Sequence, residues 1–232
     1  FLNANLLEIW TDVNGMYTAN PSIVNQAKPI PKLSYQEAME LSHFGAKVLY
    51  PPTIQPLIKK KIPVFIKNTF NYKSPGTMIS SDSINDEKNV VKGISHIDNV
   101  SLINLEGSGM IGITGFSQKL FHALSSNNIN IIMITQASSE HSICIGLTNN
   151  DAEKAKKIIE NEFSLEIRMN RLNPVSIEKN MVNIAVVGDK MKDHQGISGK
   201  LFSSLGANNI NIRAIAQGAS ERNISIIIDK KN

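Results

Sequence analysis

Residues 127–143 read NNINIIMITQASSEHSI, and residues 208–225 read NNINIRAIAQGASERNIS. The second stretch follows the first at an offset of 81 residues (208 − 127 = 81) and keeps NNINI, a Gln, a Ser and a Glu in register. Repetition at such a period marks a repeated structural unit, because one copy leaves an apolar face that a second can cover. Working outward from the first copy, NVSLINLEG reads as a strand and SQKLFHALSSN as a helix with Leu120, Phe121 and Leu124 on one face. INIIMITQ and HSICIGLT read as strands. DAEKAKKIIENEF reads as a helix capped by Asp151 with Ala155, Ile158 and Ile159 facing inward, and SLEIRMN as a closing strand. The predicted order is βαββαβ. The second copy runs through MVNIAVVGD, GKLFSSLGAN, NINIRAIAQ and NISIIIDK without a final helix and strand, so VVKGISH (90–96) is expected to supply a strand to its open edge.

Each copy places a polar loop between apolar strands, QASSEHS and QGASERN, opening on Gln136 and Gln217. A glutamine amide both donates and accepts, and Ser and backbone groups beside it add further partners. Such a loop can hold the zwitterionic end of an amino acid, with Asn130 and Asn211 at the adjacent turns. The same residues also suit plain strand turns with solvated side chains.

Composition limits the other possibilities. The chain has 232 residues, 41% hydrophobic and 19% charged, which predicts a globular protein with two or three modest cores. Its net charge of +4 is spread along the chain except at Lys59–Lys61, which reads as a solvated helix end. An RNA-recognition sheet needs exposed aromatics on its central strands, but NIIMITQ and NIRAIAQ have none, which argues against nucleic acid. No apolar run approaches the ~20 residues that cross a bilayer, and FLNANLLEIW has no basic leader, so no membrane and a cytoplasmic place are expected. The single cysteine, Cys144, lies in an alternating run and reads as a small strand residue.

Polar runs at 80–89 (SSDSINDEKN) and 170–180 (NRLNPVSIEKN) divide the chain into three pieces. In the first, Ser34 and Glu37 of SYQE form a predicted capping box for a helix that buries Ala38 and Leu41 and stops near Gly45; the strand IPVFIKNTF follows. This piece is too short to close a sheet with both faces covered, and reads as the end of a larger domain.

These residues resemble a known family. The two repeats are similar to the paired ACT domains of aspartokinases, above all those of the bifunctional aspartokinase/homoserine dehydrogenases. The first piece agrees through TDVNGMYTANP (11–21), SYQEAMELSHFGAKVLYP (34–51) and IPVFIKNTFNYKSPGTMIS (62–80). The resemblance implies an α/β and α+β fold: the C-terminal portion of an amino-acid kinase domain at 1–83, then two ferredoxin-like ACT domains at 84–172 and 173–232, the second completed by 90–97. It implies an aspartate kinase, which phosphorylates the side-chain carboxylate of L-aspartate to 4-phospho-aspartate with ATP and Mg2+, the first step towards threonine, lysine and methionine.

By the same resemblance Thr11, Asp12 and Tyr17 contact the nucleotide and Lys47 is the catalytic cation at its phosphates. Asn130, Gln136, Asn211 and Gln217 would contact an allosteric effector. Where lysine-sensitive relatives carry an acidic residue, Ile132 and Arg213 stand, so threonine is the expected effector. A homo-oligomer through the ACT domains and a downstream homoserine dehydrogenase domain are the implied partners. Ser22 stands where many members have Arg, and Tyr50 where His is common. The glycine-rich start and the aspartate-binding middle of the kinase do not occur in these residues, so the chain alone is expected to be inactive; the alternative is an amino-acid sensor that keeps a kinase remnant.

Overall fold

The computed structural model describes residues 4–46, 48–81, 90–110, 115–136, 142–218, 220 and 222–232. Two compact units are defined by internal contacts: Phe1–Ile97 with Ile184–Ile210 and Gln217–Ser225, and Asp98–Asn183 with Asn211–Ala216 and Ile226–Asn232.

In the first unit β1 (Leu7–Thr11), β2 (Lys32–Ser34), β3 (Val64–Asn68) and β4 (Thr77–Ser80) form a sheet of order β1-β3-β4-β2. β1 and β3 are parallel, as are β2 and β4, whereas β3 and β4 are antiparallel. The predicted capping box is formed at α1 (Tyr35–His43): Glu37 N donates to Ser34 Oγ at 3.0 Å and Ser34 N to Glu37 Oε2 at 2.9 Å. Helix α1 buries Ala38 and Leu41 as expected, and Tyr35 as well, whose hydroxyl donates to the Ile62 carbonyl at 2.7 Å. It stops before Gly45, whose φ of 112° and 2.0 Å approach of a notional Cβ to the His96 carbonyl leave no room for a side chain. Helix α2 (Pro51–Lys60) opens on prolines, where no N–H is required, and ends on exposed Lys59 and Lys60 with Lys61 left-handed beyond them. The solvated helix end read from the sequence is therefore present.

The repeats supply β5 (Gly93–Glu106), α3 (Phe116–Ser126), β6 (Met133–Gln136), β7 (Ser142–Thr148), α4 (Asn149–Glu162), α5 (Ser164–Arg168), β8 (Ser176–Val187), α6 (Ile197–Ala207), β9 (Ile212–Gln217) and β10 (Asn223–Asp229). Their sheet runs β6-β7-β5-β8-β10-β9, in which each repeat's three strands appear in mirrored order. Backbone geometry repeats at the same offset of 81 as the sequence. Asn99 and Asn180 have φ of 58° and 62°, Gly115 and Gly196 87° and 86°, and Asn128 and Asn209 57° and 56°.

The last pair explains part of the repeated stretch. Ile129 N bonds the Leu124 carbonyl at 3.1 Å and Asn128 N that of Ser125 at 3.0 Å; Ile210 and Asn209 do the same with Leu205 and Gly206 at 2.9 and 3.0 Å. This is the Schellman helix stop, with Asn at the left-handed position and an apolar residue after it. NNI thus occurs twice because two helices end there.

The core of the second unit lies between α3, α4 and the sheet, and includes Ile103, Leu120, Leu124, Ile145, Ile159 and Phe163. Several sequence expectations are corrected here. SLEIRMN is the short helix α5 and not a strand, because its alternating Leu165 and Met169 are 56% and 54% exposed and bury nothing. Phe163 instead turns the chain inward, stacking on Phe116 at 4.5 Å, while Ile167 N continues the helical pattern to the Phe163 carbonyl at 3.0 Å. Asp151 does not cap α4; Thr148 is the cap residue, and its hydroxyl donates to Asp151 Oδ2 at 2.9 Å, leaving the carboxylate in the first turn to favour the helix dipole. The strand read at INIIMITQ covers only Met133–Gln136. Residues 176–180 of the expected linker belong to β8, and residues 82–89 of the other lie outside the described residues. VVKGISH does enter a strand from Gly93, and Lys92 N bonds the Val187 carbonyl at 2.8 Å, alongside the end of β8.

Among the described residues, no helix is long and apolar enough to cross a membrane.

Candidate functional site

Parallel strands direct their carboxyl ends to one edge of a sheet, and ligands of α/β proteins bind in the crevice outside that edge. Here β1 ends at Thr11 and β3 at its register partner Asn68. The loop after β1 brings Thr11, Asp12 and Tyr17 to this edge. Thr11 Oγ1 donates to Asp12 Oδ1 at 3.0 Å, and Asn14 Nδ2 donates to the Tyr17 hydroxyl at 3.4 Å. Asp12 is exposed, while Thr11 and Tyr17 are half-buried. The loop is held at its far end by Thr77, whose hydroxyl accepts from Met16 N at 2.8 Å and donates to the Ile30 carbonyl at 2.7 Å. Gly15, at φ 114°, crosses so close to that hydroxyl that a Cβ would lie 2.4 Å from it. Three of the four residues expected at the nucleotide thus lie at the end of β1 and on the loop after it; Lys47 lies outside the described residues.

Sequence reasoning missed Asn68, Asn14 and Asn71, which link this loop to the one after β3. Asn68 Nδ2 donates to Asn14 Oδ1 at 2.8 Å and to the Asp12 carbonyl at 3.3 Å. Its signal was a polar residue at the inward position that continues Val64 and Ile66 of the strand VFIKN.

A second cluster joins α1 to the second repeat within the same unit. Glu37 is buried and its Oε1 accepts from Asp189 N at 3.1 Å, while Ser34 Oγ donates to Asp189 Oδ2. Arg222 Nε lies 3.3 Å from Asp189 Oδ1, an ion pair without hydrogen-bond geometry, and Asn223 Nδ2 donates to Glu40 Oε2 at 2.6 Å. The loop opened by Gln217 is therefore anchored at its other end on α1. Nothing in the spacing of Ser34, Glu37 and Asp189 could have announced this.

In the second unit Gln136 ends β6 opposite Ile143. Together with Met110 and the first turn of α3 (Gly115–Gln118) they line a cavity of about 340 Å³. Free N–H groups of a helix start favour a carboxylate. Stepping 81 residues on, Met110, Gly115, Ser117, Gln136 and Ile143 meet identical residues at Met191, Gly196, Ser198, Gln217 and Ile224. Gln136, Gln217, Asn130 and Asn211 are all exposed. Asn130 is not among the residues that line this cavity; it precedes β6, and the chain bends at Ile132 between it and the strand that ends on Gln136. Residues 137–141, 219 and 221 of the two polar loops lie outside the described residues. Arg213, at the place of Ile132, is held by Glu178, to which its Nε donates at 2.9 Å.

Two family models match the chain: the amino acid kinase family over residues 1–68 and the ACT domain over 103–163 and 184–232. The bifunctional aspartokinase/homoserine dehydrogenase of Haemophilus influenzae is 47% identical over 227 residues, covering 98% of this chain and 28% of that protein. The chain belongs to the aspartokinase family. Among solved structures, Clostridium acetobutylicum aspartate kinase matches with a TM-score of 0.88 at 33% identity, covering 99% of this chain and 52% of that one. Escherichia coli aspartokinase III in complex with aspartate and ADP matches with a TM-score of 0.82 at 27% identity, covering 98% and 49%. This aspartokinase chain therefore spans about a quarter of the length of the curated relative and half of the solved ones, and its architecture is the expected kinase portion followed by ACT domains.

Cys144 is half-buried in β7, and burial, then the carboxylates of Glu178 and Glu106, pushes its thiol up to about 11. Since the thiolate is the reactive form, iodoacetamide is expected to label it negligibly at pH 8 in the native protein and increasingly as pH approaches 11. Fast labelling at pH 8, read by mass spectrometry, would contradict this. The sign for stability follows: a thiol whose folded value is raised contributes below its unfolded value and loses that contribution as pH rises through about 11.

Proposed function

We propose that this chain is part of an aspartate kinase that transfers the γ-phosphoryl group of ATP to the side-chain carboxylate of L-aspartate, giving 4-phospho-aspartate under feedback control by threonine. The observation that carries the kinase reading is the convergence of Thr11, Asp12 and Tyr17 outside the carboxyl ends of β1 and β3, on a loop tied down at both ends. Phosphoryl transfer between two anions depends on positioning and on cations more than on covalent help. Tyr17 would pack on the nucleoside and Lys47 would neutralise charge at the phosphates. Mg2+ usually binds through one or two carboxylates together with substrate phosphates, a demand that exposed Asp12 suits. Residues 1–83 would form the kinase portion, and 84–172 and 173–232 the two ACT domains.

For the effector, Gln136 and the start of α3 offer an amide, a hydroxyl and helix N–H groups, which suit an amino acid's charged ends. Ile132 and the ion-paired Arg213 offer lysine no free carboxylate, which favours threonine. Asn130 and Asn211, at the turns before β6 and β9, would contact the effector beside Gln136 and Gln217, and a homo-oligomer through the ACT domains is the proposed assembly. A homoserine dehydrogenase domain and a cytoplasmic setting complete the proposal.

One test compares these residues alone with the complete protein. The outward face of the parallel β1–β3 pair carries Trp10, 46% exposed under the Lys67 ammonium at 4.6 Å, where such sheets are usually covered on both faces. In an assay of ADP release with aspartate, the 232-residue chain is expected to show no turnover and the complete protein to turn over. Turnover by the chain alone refutes the incomplete site, and none by the complete protein favours a sensor with a kinase remnant.

A further inference from the structure

We propose that Asn68 is a positioning residue for the nucleotide, its buried amide fixing the loop that presents Thr11, Asp12 and Tyr17. This rests on those three residues meeting ATP, as proposed above. Asn68 is 7% exposed and ends β3 beside Thr11. A primary amide can accept two hydrogen bonds and donate two. Here all four go to the loops that leave the carboxyl ends of the parallel pair. Oδ1 accepts from Phe70 N and Asn71 N at 2.8 and 3.3 Å, and Nδ2 donates to the Asp12 carbonyl and to Asn14 Oδ1 at 3.3 and 2.8 Å.

Asn14 carries the link onward. Its Oδ1 also accepts from Asn71 Nδ2 at 3.4 Å, and its Nδ2 donates to the Tyr17 hydroxyl at 3.4 Å. A chain of three amides therefore runs from the loop after β3 to the aromatic residue of the loop after β1. With Thr77 holding Met16 at the far end, the segment between is fixed on both sides. No carboxylate can replace Asn68, because the role needs donors and acceptors on one short side chain. Small displacements of a group that orients a reactant cost rate or affinity without altering the chemistry.

In the complete protein, Asn68→Asp keeps the acceptor for the Phe70 and Asn71 amides and removes both donors. The KM for ATP is expected to rise about tenfold while the KM for aspartate stays within about twofold. Asn14→Ala cuts the same link from the other side and is expected to show the same split to a smaller degree, which decides the matter if Asn68→Asp does not fold. Tyr17→Ala, measured beside them, tests the nucleotide site itself and should raise the KM for ATP. If Tyr17→Ala raises it and neither asparagine variant does, the proposal is overturned and the nucleotide site stands. If Tyr17→Ala also leaves it unmoved, both fall. Equal rises for ATP and aspartate with a lowered melting temperature would mean that Asn68 is only structural, and would overturn the proposal too.

Discussion

Phe163→Ala is expected to lower the unfolding free energy by about 3–5 kcal/mol, the usual range for removing a buried aromatic ring. Phe163 has no exposed surface and stacks on Phe116 at 4.5 Å, with the Lys119 ammonium 4.7 Å above its ring. Its removal opens a cavity between α3 and the α4–α5 junction, and frees Lys119 from one of the groups that hold it beside Glu166 at 3.1 Å. Urea unfolding followed by circular dichroism measures the loss. A change below about 1 kcal/mol would mean that the junction collapses around the gap, and that α5 is not held by this ring.

Lys47→Ala in the complete protein is expected to reduce aspartate kinase turnover at least tenfold, about 1.4 kcal/mol or more of transition-state stabilisation. The reasoning is electrostatic: a γ-phosphoryl group approaching a carboxylate needs a fixed cation, and alanine leaves that charge to solvent. Lys47→Arg keeps the charge with a different reach, so it should lose less than alanine does. A near-normal rate for Lys47→Ala, measured by ADP release at saturating substrates, would show that the cation at the phosphates is another residue.

How far the sequence led depended on the range of the interaction. Local signals carried well: Ser34 and Glu37 cap α1, and the faces of α3 and α4 bury Leu120, Leu124, Ala155 and Ile159. The offset of 81 was visible and is repeated in backbone angles, although its NNI opening proved to be a helix stop. SLEIRMN misled because alternation of apolar residues is also met by a short amphipathic helix, and only the burial of Phe163 separates the two. The link of Asn68 to Asn14 and that of Ser34 and Glu37 to Asp189 were not legible because these partners lie 54 to 155 residues away. Side-chain amides and carboxylates at such distances leave no period in the sequence. Gln136 was legible as a polar strand end, but its pairing with the start of α3 required the fold.

Calorimetric titration of the complete protein with threonine, lysine and methionine tests most directly whether the repeated stretch builds effector pockets. Coupling between such a pocket and a catalytic site is typically ~1–3 kcal/mol, and arises only if the effector prefers one state of the protein. Threonine is expected to bind more tightly than the other two, with binding weakened in Gln136→Ala and again in Gln217→Ala, and with kinase inhibition reduced in parallel. Threonine binding that is no tighter than that of lysine or methionine, or that survives both substitutions together, would mean that the two polar loops are only strand turns.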